Sequence, residues 1–166
     1  MPALSRSTSP IGVAIAGLGF GESVHLKALS AQSDLKPVAL WHPRQERLDQ
    51  ASLEHNLPGY QDWDALLRDT RVEAVIIATP PGPRFELALQ ALKAGKHLLL
   101  EKPVALRSES VADLQRIAIQ KHLSVGVDFE YRAVPLFMQA ARLLESGAVG
   151  IPWLVKLDWL MSSRSD

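Results

Sequence analysis

Three short segments carry residue types at spacings suited to chemistry. The first is Gly17-Leu18-Gly19-Phe20-Gly21, between an apolar run and a helix-forming segment. In that context Gly17 permits a tight turn and Gly19 lets the backbone approach a pyrophosphate. The N–H groups at the helix start, those of Phe20 and Gly21 included, then bind the anion with help from the helix dipole. The third glycine of a G-x-G-x-x-G fingerprint would fall at position 22. Glu22 stands there, and Gly21 sits one place early. A strand–helix turn without a ligand would show the same glycines. So would the first-strand turn of methyltransferases that use S-adenosylmethionine.

Both kinds of dinucleotide or nucleoside site usually place an acid at the end of the second strand to hold a ribose. This chain has His42, Pro43 and Arg44 there, and Asp34 lies at the wrong end of the strand. A carboxylate at that point would repel a 2′-phosphate, whereas His42 and Arg44 can pair with one. The expected cofactor is therefore NADP or NAD, with NADP favoured. The alternative is that both residues are solvated members of a loop.

The other two segments end strands at the carboxyl edge of the expected sheet, where open α/β sheets bind ligands. In Thr79-Pro80-Pro81 the prolines stiffen the backbone, and the Thr79 hydroxyl can meet a phosphate or ribose. In Glu101-Lys102-Pro103 a charged pair follows three leucines. Burial beside a ligand would make Lys102 a positioned cation or proton donor. A solvated lysine is the plain alternative.

The elements that must hold these segments follow from periodicity. Short apolar runs at Ile11–Ala16, Val38–Trp41, Val72–Ala78, His97–Leu100 and Leu123–Phe129 suit strands buried on both faces. Helices are expected between them, over about Glu22–Ala31, Gln45–Asn56, Trp63–Arg68, Phe85–Lys93 and Ser110–Lys121. Repeated strand-to-strand crossovers make a doubly wound parallel α/β sheet the natural topology. After Phe129 the pattern changes. A helix is expected over Leu136–Glu145, then a half-buried strand over Ile151–Met161, whose Trp153, Val155, Leu157, Trp159 and Met161 alternate with polar positions. The expected division is a flexible tail at 1–10, a dinucleotide-binding domain at 11–132, and the start of an incomplete C-terminal α/β domain at 133–166.

Composition excludes several classes. Lys plus Arg equals Asp plus Glu at 18 each, so nothing points to nucleic acid or a membrane surface. There is no Cys, which removes disulfides and thiolate chemistry. The five histidines form no spaced ligand set, so no metal is expected. The apolar stretch after Arg6 could pass for a signal peptide, but it runs straight into a glycine turn and reads as a buried strand. A cytoplasmic protein is expected.

Taken together, the Gly17–Gly21 turn, Ala78-Thr79-Pro80-Pro81, Ala94-Gly95-Lys96-His97, Glu101-Lys102-Pro103, and Val125 to Arg132 with Pro135 resemble the N-terminal part of the Gfo/Idh/MocA oxidoreductases, the family of glucose–fructose oxidoreductase and inositol dehydrogenase. The resemblance implies a Rossmann domain followed by a mainly antiparallel α/β domain. It also implies hydride transfer between nicotinamide and a sugar, cyclitol or related alcohol. It makes Lys102 the lysine beside nicotinamide and substrate, with Glu101 supporting that edge, and turns Arg132 toward the active site. This chain departs from the family pattern at Glu22, His42, Arg84 and Asp128. No Asp is followed four places later by His, the pair that usually transfers the proton. Two readings follow: the cofactor-binding portion of such an oxidoreductase, or a catalytically incomplete dinucleotide-binding module. In either case a homo-oligomer is expected, since the apolar last strand needs cover.

Overall fold

A strand whose residues are apolar on both faces is stable only in a sheet covered on both sides. The computed structural model describes residues 9–158 and 160 and places the first strand, β1 (Ile11–Ala16), in such a position. A π-helical segment, Gly21–Leu26, follows it and runs into α1 (Lys27–Ser30). Then come β2 (Leu35–Trp41), α2 (Gln45–His55), β3 (Gly59–Tyr60), α3 (Trp63–Arg68), β4 (Ala74–Ile77), α4 (Pro81–Lys93), β5 (His97–Glu101), α5 (Ser108–Gln120) and β6 (Val125–Asp128). The six strands lie in the order β3-β2-β1-β4-β5-β6, every neighbouring pair parallel.

The period-two alternation of strand side chains divides the core in two. Ala14, Ala16, Ala39, Trp41, Val75, Ile77, Leu98 and Leu100 face one layer, where α3, α4 and α5 supply Leu66, Ala88, Leu92 and Leu114. Val13, Ile15, Leu40 and Ile76 face the other, with Leu26, Leu29, Leu48 and Ala51 from the helices after β1 and β2. The helix ends are set locally. Asp62 caps α3 by accepting from the Asp64 N–H at 3.0 Å. Asn56 closes α2 in the left-handed conformation, with φ 52°.

The structure differs from the sequence expectations at several element ends. β3 pairs only two residues with β2, too short a run to leave a periodic trace. The prolines after Thr79 open α4 rather than keep the chain out of it. Pro81 occupies the first turn, where a missing N–H costs nothing, so the helix begins four residues before Phe85.

The chain divides into two compact units, Met1–Asp128 and Phe129–Asp166. The second holds a 3₁₀ turn (Glu130–Ala133) and α6 (Pro135–Glu145). The strand expected over Ile151–Met161 does not form in residues 151–158, which are exposed. Alternation marks which face of a strand would be apolar, but a strand also needs a neighbour for its backbone groups. Trp159, Met161 and residues 1–8 of the expected tail lie outside the described residues. Among the described residues, no helix is long and apolar enough to cross a membrane.

Candidate functional site

The ends of β1, β2, β4 and β5 bring the sequence-predicted residues of the first unit to one edge of the sheet. Gly17 follows β1 with φ 99°. A Cβ there would lie 2.8 Å from the carbonyl carbon and oxygen of Ala78 and 2.9 Å from the Thr79 nitrogen. Both conformation and space therefore require glycine. Its N–H donates to the Trp41 carbonyl at 3.1 Å, and the Ala78 N–H donates to the Ala16 carbonyl at 2.8 Å. The turn is thus tied to β2 on one side and to β4 on the other.

Gly19 and Phe20 are exposed, and a Cβ on Gly19 would meet nothing within 4 Å. The backbone here borders open space, as a close-lying ligand requires. Gly21 is buried, and a Cβ on it would sit 2.8 Å from Ile15 Cγ2. The helix can press against β1 only because that atom is missing. Gly21 therefore does the packing assigned to the third glycine of the fingerprint, one residue early. Glu22, in the nominal third slot, turns to α2 instead. Its carboxylate accepts from His55 Nε2 at 3.0 Å and from Arg47 Nη2 at 3.4 Å.

His42 and Arg44 stand immediately after β2. The His42 ring accepts the Arg44 backbone N–H at 3.1 Å through Nδ1, which stiffens the loop, and Arg44 is exposed. Arg47, in the first turn of α2, donates to the Leu18 carbonyl inside the glycine turn at 3.1 Å. Three basic side chains thus lie within six positions of the β2 end, and one reaches the glycine turn itself.

The β4–β5 side of the edge is held by a buried cation. Arg84, 3% exposed, projects from α4 and donates to the carbonyls of Glu101, Pro103 and Thr79, at 2.6 Å for Glu101. Its charge meets peptide dipoles rather than a direct carboxylate partner. Burial lowers its affinity for the proton from the ordinary guanidinium value, partly offset by nearby Glu101. Thr79 is 5% exposed, and its Oγ1 has no hydrogen-bond partner among the described residues. Such an atom is costly to bury unless a ligand or water completes it. Pro80 is exposed beside it, and Pro81 starts α4.

Glu101 is buried at the end of β5. One oxygen accepts from His25 Nε2 at 2.8 Å and the other from the Lys102 backbone N–H at 3.2 Å. His25 comes from the helix after the glycine turn, its ring edge-on to Phe20 at 5.4 Å, and Asp128 Oδ2 lies 3.7 Å from its Nε2. A buried imidazole thus joins the glycine-turn helix to the end of β5. Lys102 is exposed at that end. Arg132 lies in the 3₁₀ turn of the second unit, exposed, with its N–H bonded to the Phe129 carbonyl at 2.9 Å.

Sequence reasoning misses the His25 bond to Glu101, which spans 76 residues. It treated Arg84 only as a departure from a family pattern and did not single out Arg47. The available signal was an arginine at position 84 whose neighbours on α4, Leu87 and Ala88, face the core. Among the described residues, two groups of side chains place possible ligand atoms within 4.8 Å of one another: His25, Glu101 and Asp128, and Glu22, Glu54 and His55. In each, the histidine hydrogen-bonds one carboxylate, at 2.8 Å for Glu101 and 3.0 Å for Glu22, and the other acid lies farther off, at 3.7 Å for Asp128 and 3.9 Å for Glu54.

Residues 11–129 match the oxidoreductase family with an NAD-binding Rossmann fold. An uncharacterised oxidoreductase of Synechocystis is 39% identical over 155 residues, covering 93% of this chain and 42% of the relative. The inositol 2-dehydrogenase/D-chiro-inositol 3-dehydrogenase of Lactiplantibacillus plantarum is 32% identical over 151 residues, covering 86% of this chain and 42% of the relative. Among solved structures, scyllo-inositol dehydrogenase from Lactobacillus casei with bound NAD(H) and scyllo-inositol superposes with a TM-score of 0.78 at 27% identity, covering 85% of this chain and 42% of that one. A 3-ketoreductase from Actinomadura kijaniata in complex with NADP and TDP-benzene gives a TM-score of 0.78 at 27% identity, covering 83% and 43%. The chain spans about two fifths of the length of these relatives. With its parallel sheet, its glycine turn and this match, the chain belongs to the Gfo/Idh/MocA oxidoreductase family, whose matched region is the NAD-binding Rossmann fold.

Proposed function

We propose that the chain is the cofactor-binding portion of an NAD(P)-dependent oxidoreductase that moves hydride between nicotinamide and a sugar, cyclitol or related alcohol. The observation that carries the cofactor assignment is the exposed Gly19–Phe20 backbone beside a Gly17 that no other residue can replace. In this reading Gly17, Gly19, Phe20 and Gly21 hold the pyrophosphate through backbone groups. His42 and Arg44 meet the adenosine ribose or its 2′-phosphate. Thr79, Pro80 and Pro81 line the middle of the cofactor, where the unpartnered Thr79 hydroxyl is an available hydrogen-bonding group.

When bound, the nicotinamide supplies the hydride acceptor or donor. The residues of this chain bind and orient. Lys102, exposed at the end of β5, brings a cation to the substrate oxygen, and the buried His25–Glu101 bond fixes the backbone from which it projects. Arg132 is assigned to the substrate side. The proton partner expected of the family, an Asp-x-x-x-His pair, does not occur in the sequence. In a second reading, this chain binds cofactor and completes no turnover by itself. A homo-oligomeric, cytoplasmic protein suits both readings.

Fluorescence titration with NADPH and NADH tests the assignment. NADPH should bind at least several-fold tighter, because two basic residues stand where an acid would hold the 2′-hydroxyl. Equal or tighter NADH binding would remove the NADP preference, and no binding of either would remove the assignment itself. Turnover of a polyol and sugar panel by this chain would exclude the second reading.

A further inference from the structure

Glu22 occupies the slot where the fingerprint has its third glycine, yet the packing done by that glycine is already done by Gly21. A bare carboxylate here would repel a pyrophosphate lying over the turn. Its surroundings show how the charge is handled. Glu22 is largely covered, its side chain 20% exposed, and two groups from α2 converge on it: His55 Nε2 at 3.0 Å and Arg47 Nη2 at 3.4 Å. The same Arg47 nitrogen donates to the Leu18 carbonyl at 3.1 Å. One guanidinium therefore ties the glycine-turn backbone, the acid behind it and the first turn of α2 together. His55, in the last turn of α2, holds the same acid from the other end of that helix. Glu54 Oε1 lies 3.9 Å from the His55 ring at the rim of the group.

Resting on the cofactor reading above, we infer that Glu22 is a positioning residue: a charged latch that draws Arg47 and α2 onto the glycine turn and holds its backbone in the shape that accepts the pyrophosphate. The acid is the anchor and Arg47 carries the effect to the turn. With the packing of the third glycine done by Gly21, the carboxylate in the third slot adds a charged tie between the turn and α2. A chain with glycine at position 22 would leave the Arg47 guanidinium without its acid and the Leu18 carbonyl less firmly held.

The test is to restore the fingerprint glycine in the full chain and measure NADPH binding by fluorescence, with melting temperature followed in parallel. Glu22→Gly should weaken NADPH binding about tenfold, more than any loss of thermal stability explains at a temperature where both proteins are folded. Glu22→Gln keeps the acceptor oxygen and should recover part of that loss. Arg47→Ala should weaken binding to a similar degree, and the double variant Glu22→Gly/Arg47→Ala should be no worse than either alone, because residues acting through one contact are not additive. Unchanged or tighter binding by Glu22→Gly would overturn the latch. So would additive losses in the double variant, which would make Arg47 a direct ligand independent of Glu22. If wild type binds neither NADPH nor NADH, the cofactor reading fails first; if wild type binds and Glu22→Gly binds equally well, only the latch fails.

Discussion

The two sides of the site are built on different physics. The glycine turn is held by the absence of atoms: Gly17 has no room for a side chain, and Gly21 lets a helix lie directly on Ile15. The edge formed by the ends of β4 and β5 is held by the presence of buried charge. Arg84 spreads one guanidinium over three carbonyls, and His25 bonds Glu101 beneath Lys102. The first kind of constraint is steric: the Gly17 φ is a local requirement, and the wall its missing Cβ would strike is the Ala78–Thr79 backbone. The second is electrostatic and joins α4 to the segment after β5, and the first helical segment to β5. A steric constraint shapes a surface that can accept an anion through its own N–H groups. A buried polar network keeps exposed Lys102 on a rigid base. In the proposed reading, one side binds the cofactor and the other orients the substrate.

That contrast is sharpest at Gly17. Replacing it with Ala forces a side chain into a positive-φ position and against the Ala78–Thr79 backbone. The expected cost is about 3 kcal/mol or more, with loss of NADPH binding. A melting curve and a fluorescence titration check both, and a stable Gly17→Ala protein that still binds would break the steric account.

The charged side is tested by Arg84→Met, which keeps much of the bulk and removes the donors. Three backbone carbonyls lose a partner, so stability should fall by about 2–3 kcal/mol. NADPH affinity should fall less than in Gly17→Ala, since the turn itself is untouched. Denaturant unfolding and the same titration compare the two, and a larger binding loss in Arg84→Met would reverse the division of labour.

A smaller effect is expected at the other end of β4, in the loop that joins it to α3. There Asp69 accepts from the Arg71 guanidinium at 2.7 Å and the Tyr60 hydroxyl at 2.8 Å. The Arg71 side chain is the main cause that holds the Asp69 carboxyl well below the usual carboxylate range, against the opposing effect of burial. A folded-state pKa below the unfolded one contributes stability that is complete above the unfolded value, ~3.9, and is lost as pH falls from there through the lowered folded value. Asp69→Asn should therefore cost about 1 kcal/mol at neutral pH, flatten the acid limb of the stability curve, and leave NADPH affinity unchanged. Urea unfolding between pH 7 and pH 2 reads the first two. A change in cofactor affinity would show that this loop is coupled to the site.

The steric side of the site was the readable one. A glycine at 17 between an apolar run and a helix-forming segment announces a turn without knowledge of what lies across from it, because its positive φ is a local requirement. Parallel strands were legible for a similar reason, since burial on both faces leaves an unbroken apolar run. β3 was missed because two residues cannot show a period. The expected strand over Ile151–Met161 failed over residues 151–158 because alternation records a face and not a partner. Arg84 looked like a substitution in a pattern, and nothing local says that its guanidinium will meet carbonyls 5, 17 and 19 residues away.

The sequence by itself determined the fold class, the strand–turn–helix that could take a dinucleotide, and the place of Lys102 at the end of β5. These depend on periodicity, on glycine and on proline, all properties of a residue and its near neighbours. Only the tertiary structure decided that Gly21 does the packing of the missing glycine, that Glu22 is clasped by Arg47 and His55, and that His25 ties the first helical segment to Glu101. Those are contacts between residues 25 to 76 positions apart for the charged pairs, and 6 apart for Gly21 and Ile15. Their existence depends on how the sheet brings separate crossovers to one edge, which residue types alone do not encode.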